Sequence, residues 1–253
     1  MADTSDTLLS RVEDAGLNAS APPEQRWLDG WLLRFSPGKA KRARCINAVA
    51  EGRLPLDERL HWAQAAYAEA GLPLILRFTP FTQPQGLEDT VAQRGWRAFD
   101  DTRVMLWRGY SAVRPPGLHP QPVTPIEYAE VVGALRGSSL PQRMAHTRRL
   151  LASPVPYQGF VLRDGAAVLA CGQFAREREL VGLYDVFTAP AARGQGLARQ
   201  LCSWLLAQAA EGGARHAYLQ VEGDNHAARA VYHRLGFSDA YAYHYRTPET
   251  GEV

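Results

Sequence analysis

Lysine is almost missing from this chain: of 28 basic residues only Lys39 and Lys41 are lysine. The bias reads as genome composition and carries no functional weight. Cysteine is scarce too. Cys45, Cys171 and Cys202 are odd in number and widely spaced, which fits neither a disulfide framework nor a zinc site. No stretch approaches the ~18 uninterrupted apolar residues of a membrane helix, so no membrane-spanning segment is expected. The opening MADTSDTLLSRVEDAG lacks the basic-then-apolar signal pattern, and a cytoplasmic location is the expectation. A net charge of +2 is too small to argue for nucleic acid by itself. His226 and His233 share a helix face, but no third ligand is evident, so no metal is expected. What remains is an ordinary globular composition, 46% hydrophobic and 21% charged. Its 253 residues permit one large domain or two small ones.

The sharpest boundary is Arg114-Pro-Pro-Gly-Leu-His-Pro-Gln-Pro122, whose prolines exclude a helix or a central strand. It divides the chain into 1–114, a proline-rich linker 115–123, and 124–253. Thr124-Pro125-Ile126-Glu127 has the spacing of a capping box with proline at the first helical position. That predicts a helix to about Gly137, followed by an amphipathic helix from Leu140 to Ala152. Strand periodicity then covers Gly159–Arg163, an Asp164-Gly165 hairpin turn, Ala166–Arg176 and Leu180–Phe187. A helix over Gly196–Glu211, a strand over Ala217–Val221, a helix over Asn225–Leu235 and a strand over Tyr241–Arg246 complete the pattern. An antiparallel hairpin followed by alternating strands and helices predicts an α/β fold with a mixed sheet.

The first half carries the same order. A helix over Asp57–Gly71, a strand over Leu74–Phe78, a helix over Leu87–Arg94, Gly95 and a strand over Arg103–Trp107 match the later helix, strand, helix, Gly236 and strand. Identity between the copies is low, and chance order in an α/β protein gives the same succession. The first copy has Ala50-Glu-Gly-Arg-Leu-Pro-Leu56 where the second has Ala191-Ala-Arg-Gly-Gln-Gly-Leu-Ala198. A strand-to-helix turn rich in glycine lets backbone N–H groups approach a ligand, and the helix N-terminus adds positive charge. With Arg193 it forms a cradle for a phosphate or pyrophosphate. The spacing is neither G-x-G-x-x-G nor a P-loop.

Val186-x-x-x-Pro190 followed by Arg193-x-x-Gly196-x-Ala198 resembles the acyl-CoA pyrophosphate loop of the GNAT N-acetyltransferase superfamily. Asn225-x-x-Ala228-x-x-x-Tyr232-x-x-x-Gly236-Phe237 resembles the second signature of that superfamily, and the likeness covers about 124–246. Residues 1–114, with Asp29-Gly-Trp-Leu-Leu-Arg34, resemble the degenerate N-terminal half of bacterial GNAT proteins, which implies a tandem without a first coenzyme loop. The resemblance implies direct attack of a primary amine on acetyl-CoA in a ternary complex. It places the pyrophosphate on Arg193, Gly194, Gln195, Gly196, Leu197 and Ala198, the pantetheine along Val186 and Phe187, and Asn225 on the coenzyme side. The backbone N–H near Val186 would stabilise the developing oxyanion.

Tyr232 occupies the position that commonly returns a proton to the departing thiolate; the alternative is a packing role on the sheet. The base is open. Some relatives carry glutamate where this chain has Gln220, which cannot accept a proton. Glu222 shares a strand face with Gln220, and Asp185 lies beside Val186 on the neighbouring strand. Either could act through water, or neither could. Tyr241, Tyr243 and Tyr245 face one way, as a packed sheet face or as an aromatic wall for the amine. Arg77, at the repeat position of Gln220, is a candidate for a substrate carboxylate. The expectation is acetyl transfer to a small polar amine, with no nucleic acid and no membrane partner. A peptide or protein amine, or a non-catalytic acyl-CoA sensor, are the alternatives. The chain is expected to be a monomer or homodimer, with the first half in place of a second subunit.

Overall fold

The computed structural model describes residues 4–248. The first half runs α1 (Thr4–Ala19), β1 (Glu24–Leu28), β2 (Trp31–Phe35), β3 (Ile46–Ala48), α2 (Leu56–Glu69), β4 (Leu76–Phe78), α3 (Leu87–Gln93) and β5 (Arg97–Trp107). The second runs β6 (Gln121–Val123), α4 (Pro125–Leu135), α5 (Leu140–Ala152), β7 (Tyr157–Asp164), β8 (Ala167–Glu177), β9 (Leu180–Thr188), α6 (Leu197–Glu211), β10 (His216–Glu222), α7 (His226–Leu235) and β11 (Ser238–Thr247). From β3 onward the halves repeat: strand, helix, strand, helix, strand. The repeated order in the sequence is thus a repeat in the fold.

Among the described residues eleven strands form one sheet, in the order β1-β2-β3-β4-β11-β5-β10-β9-β8-β7-β6. Each half contains one parallel pair, β3 with β4 and β9 with β10. The remaining pairs are antiparallel. The halves exchange their last strands. β5 of the first half lies against β10, and β11 of the second lies against β4. β5 and β11 then pair with each other from Ser238–Leu106 to Thr247–Arg97, with two register shifts.

Two-residue alternation sends neighbouring side chains to opposite faces of this sheet. Cys45 and Ile75 join a core built with α1 and α4, while Ile46 and Leu76 join one built with α2. In the second half Leu219 and Val221 pack with Leu201 and Leu205 of α6, and Tyr218 packs on the α1–α4 side. Helices thus cover both faces; β3 and β4 are buried throughout, whereas the central β5 and β11 are buried over only part of their length.

Three details differ from the expected boundaries. The linker 115–123 ends in β6, whose residues pair with Gly159, Phe160 and Val161 of β7; an edge strand tolerates Pro122, which has no N–H to donate, because no further strand pairs beyond it. The reciprocal capping box sits at Ser139 and Gln142, whereas Thr124 caps α4 by accepting from the Glu127 N–H alone, at 3.2 Å. Helix α2 starts at Leu56 after Pro55, and Asp57 lies inside its first turn in ion-pair contact with Arg94.

Candidate active site

The ladder between β9 and β10 runs from Leu180–His216 to Leu183–Leu219 and stops. Beyond it the strands splay, because each follows its other neighbour. β10 stays on β5 as far as Glu222–Thr102. β9 stays on β8, but with a register shift between Cys171–Phe187 and Gln173–Tyr184. The extra residue lies at Asp185 and Val186, and Asp185 takes the left-handed conformation, φ 50°. A bulge of this kind kinks one strand away from its partner. Backbone groups of β9 past Leu183 therefore face no strand on the β10 side. A cavity of about 450 Å³ opens there, bounded by β9, β10, α7 and residues 39–42 of the first half.

At one end of this cleft β9 leads into the glycine turn. Gly194 and Gly196 have φ of 78° and 74°, where a side chain costs roughly 1–2 kcal/mol per residue. Gly196 is the N-cap of α6 and supplies no side-chain cap, so the first-turn N–H groups of a 15-residue helix keep their donors and partial positive charge. Arg193 is exposed at the same turn, 5.7 Å above the Phe187 ring. Gln195 is exposed, and Leu197 and Ala198 form the first turn of α6. Two left-handed glycines before an uncapped helix fit a pyrophosphate, and the splayed strands fit an extended arm lying between them. Asn225 caps α7, its side chain accepting from the Ala228 N–H at 3.1 Å, and it borders the cleft together with Val186 and Tyr232. Burial pushes the Tyr232 phenol up, so it stays a protonated donor at neutral pH.

The two carboxylates differ. Asp185 accepts from Arg136 at 2.9 Å and from the Gln173 amide at 2.8 Å. His146 lies 3.3 Å and Arg149 3.9 Å from its second oxygen. Burial alone would raise the Asp185 carboxyl, but His146, Arg136 and Arg149 together hold it well below the carboxylate range. A group held so firmly ionised is a weak proton acceptor and a strong organiser of the cations around it. Glu222 is exposed at the mouth of the cleft and has no ion-pair partner among the described residues.

Gln220 is a brace. Its Oε1 accepts from Arg42 and from the Tyr243 hydroxyl, the latter at 2.8 Å, so its amide nitrogen turns toward α1. There a Cβ on Gly16 would stand 2.9 Å from that nitrogen. Tyr243 and Tyr245 line the cleft, whereas Tyr241 donates to Glu13 at 2.7 Å in the other half. The tyrosine row is therefore a packed face and a wall at once. Arg77, offered above for a substrate carboxylate, is only 2% exposed and pairs with Glu13 through two hydrogen bonds, so an internal acid occupies it. Sequence reasoning missed Arg42, Arg149 and both lysines. Lys39 and Lys41, set aside above as genome composition, both border the cleft. Among the described residues no three His, Cys, Asp or Glu side chains are grouped to hold a metal, and no helix is long and apolar enough to cross a membrane.

Residues 123–237 match the model of the acetyltransferase (GNAT) family. An N-acetyltransferase of Bacillus subtilis, YobR, described as uncharacterized, is 26% identical over 230 residues, 88% of this chain and 91% of its own. A solved GCN5-related N-acetyltransferase from Kribbella flavida superposes with a TM-score of 0.69 at 17% identity, over 96% of both chains. A tandem GNAT protein from the clavulanic acid biosynthesis pathway gives a TM-score of 0.59 at 20% identity, over 77% of this chain and 70% of that one.

Proposed function

We propose that this chain, a member of the GNAT superfamily and an acyl-CoA-dependent acetyltransferase, acetylates the primary amine of a small polar metabolite by direct attack in a ternary complex. The observation that carries the reading is the cleft itself: one cavity of about 450 Å³ joins the splayed strands, the α7 tyrosine and a wall supplied by the first half. That volume lies in the range of small-ligand sites, about 300–1,000 Å³.

Acetyl-CoA, as co-substrate, supplies an activated acetyl thioester. Arg193, Gly194, Gln195, Gly196, Leu197 and Ala198 hold its pyrophosphate through backbone N–H groups and one guanidinium. Val186 and Phe187 line the extended arm, and Asn225 fixes the start of α7 beside it. Tyr232 donates the proton the departing thiolate needs. An alkylammonium with a pKa of ~10 must lose its proton before attack. Glu222, free of ion pairs at the cleft mouth, receives that proton, directly or through water. Asp185 positions Arg136 and Arg149 and stays ionised throughout. The first half closes the amine side as a second subunit would, so the chain works as a monomer.

Acetyl-CoA should raise the melting temperature, because a ligand that binds only the native state stabilises it. Thiol release with a panel of small amines then separates an enzyme from a sensor. A chain that binds acetyl-CoA and releases thiol with no small amine, but does so with peptides, would overturn the metabolite reading.

A further inference from the structure

Four of the six residues 39–44 are basic, and the turn they form closes the amine side of the cleft. Lys41 is engaged, 2.6 Å from Asp100. Arg136 and Arg149 stand around Asp185. Arg42 and Lys39 are different. Arg42 donates to Gln220 Oε1 and, at 3.1 Å, to the Tyr243 hydroxyl. Both partners are neutral, and its Nε is buried with no partner at all. Lys39 is exposed where the main cleft meets a smaller annex of about 130 Å³ lined by α5, the α4–α5 connection and the turn from Ser36 to Ala40. Among the described residues no carboxylate pairs with either side chain.

A guanidinium drawn out of water without a counter-charge is costly, and this one is held in place. Arg34, only 2% exposed, donates to the Arg42 carbonyl at 3.4 Å and to the Leu17 carbonyl at 2.7 Å, which fixes the turn to the end of α1. The Cys45 thiol makes a long contact with the same carbonyl, at 3.8 Å. The charge is thus preorganised at the rim of a cavity where Asp100 and Asp185 are already paired.

We propose that the acceptor is an anionic amine, whose carboxylate or phosphate is recognised by Arg42 with support from Lys39, while its amine lies toward Glu222. The inference rests on the amine-acetylation reading of the same site. It selects amino acids and amino-acid-like compounds over polyamines and neutral amino sugars, because the cationic wall repels a second ammonium and leaves a neutral group without its counter-charge.

The test is thiol release from acetyl-CoA with matched acceptors: the twenty amino acids, β-alanine and 4-aminobutyrate, each beside its carboxamide, with 2-aminoethyl phosphate and putrescine. A charge-assisted contact predicts a kcat/KM for the best anionic acceptor about 10–100-fold above its neutral counterpart. The phosphate arm tells which anion the site takes. Gln220→Glu, close to isosteric, gives Arg42 an internal carboxylate. It should erase most of the preference by raising the acceptor KM, with the KM for acetyl-CoA unchanged. Lys39→Ala, an exposed change that spares the fold, should lower the preference by roughly two- to threefold. Equal turnover of the neutral partners, or a preference that survives Gln220→Glu, overturns the inference and leaves acetyl transfer standing. Thiol release with no amine in the set, despite coenzyme binding, overturns both.

Discussion

At the entrance to α2 the carboxylate of Asp29 accepts the N–H groups of Arg53 and Leu54 at 2.9 and 2.8 Å, with the Arg59 guanidinium 3.8 Å away. Neither α2 nor α6 has a side-chain cap, but before α6, after an equivalent strand, the turn carries no such carboxylate and Gly194 and Gly196 clear the approach. The strand pairs differ in the same sense. Arg77 on β4, at the repeat position of Gln220, is held by the buried Glu13 of α1, whereas Gln220 on β10 accepts from Arg42 and Tyr243. The two halves share one architecture and differ at the strand-to-helix turn, where the first places a carboxylate of its own and the second two left-handed glycines.

The comparison can be broken in four places. Glu13→Gln has the largest expected effect: it leaves the Arg77 charge buried and unpaired, which costs about 3–5 kcal/mol, read by urea unfolding, with coenzyme affinity intact. Burial would raise the Glu13 carboxyl, but Arg77 outweighs it and the net shift is downward. Its stabilising contribution is therefore present above the unfolded value near ~4.3 and lost as pH falls through the folded one. Acid unfolding should be less steep in Glu13→Gln than in the parent. Tyr232→Phe comes next, with kcat lowered by roughly 10²-fold and the dissociation constant for acetyl-CoA unchanged in calorimetry; equal loss of both would mean a packing role. Arg193→Glu should weaken coenzyme binding about tenfold, less at high salt because the residue is exposed. The smallest effect belongs to Asp29→Ala, which should lower the melting temperature measurably and leave coenzyme binding alone. If Asp29→Ala changed acetyl-CoA affinity as much as Arg193→Glu does, the two helix ends would not have the separate duties assigned to them.

Much of this was legible in the sequence. Strong turn chemistry and periodicity set α6 and α7 within one residue of where they lie, and the two glycines of the turn before α6 take the left-handed conformation. The short strands β2 and β3 were not anticipated, because both are buried at every position and show no polar alternation to mark them. The exchange of β5 and β11 leaves no local trace either, since each could have paired within its own half. Arg42 escaped for the same reason. Its meaning comes from Gln220 and Tyr243, 178 and 201 residues away, and no spacing rule reaches that far. Arg77 was misjudged because its partner lies on α1, a helix not foreseen.

The exchanged strands also set a timetable for synthesis. When β5 leaves the ribosome neither of its neighbours exists, and the first of them, β10, begins only at His216, more than a hundred residues later. At ~5–20 residues per second, that strand waits on the order of 5–20 s with both edges open, a template for any extended chain nearby. A nascent chain of this design relies on the charges of β5 itself, Arg97, Asp100, Asp101 and Arg103, to keep those edges from the wrong company.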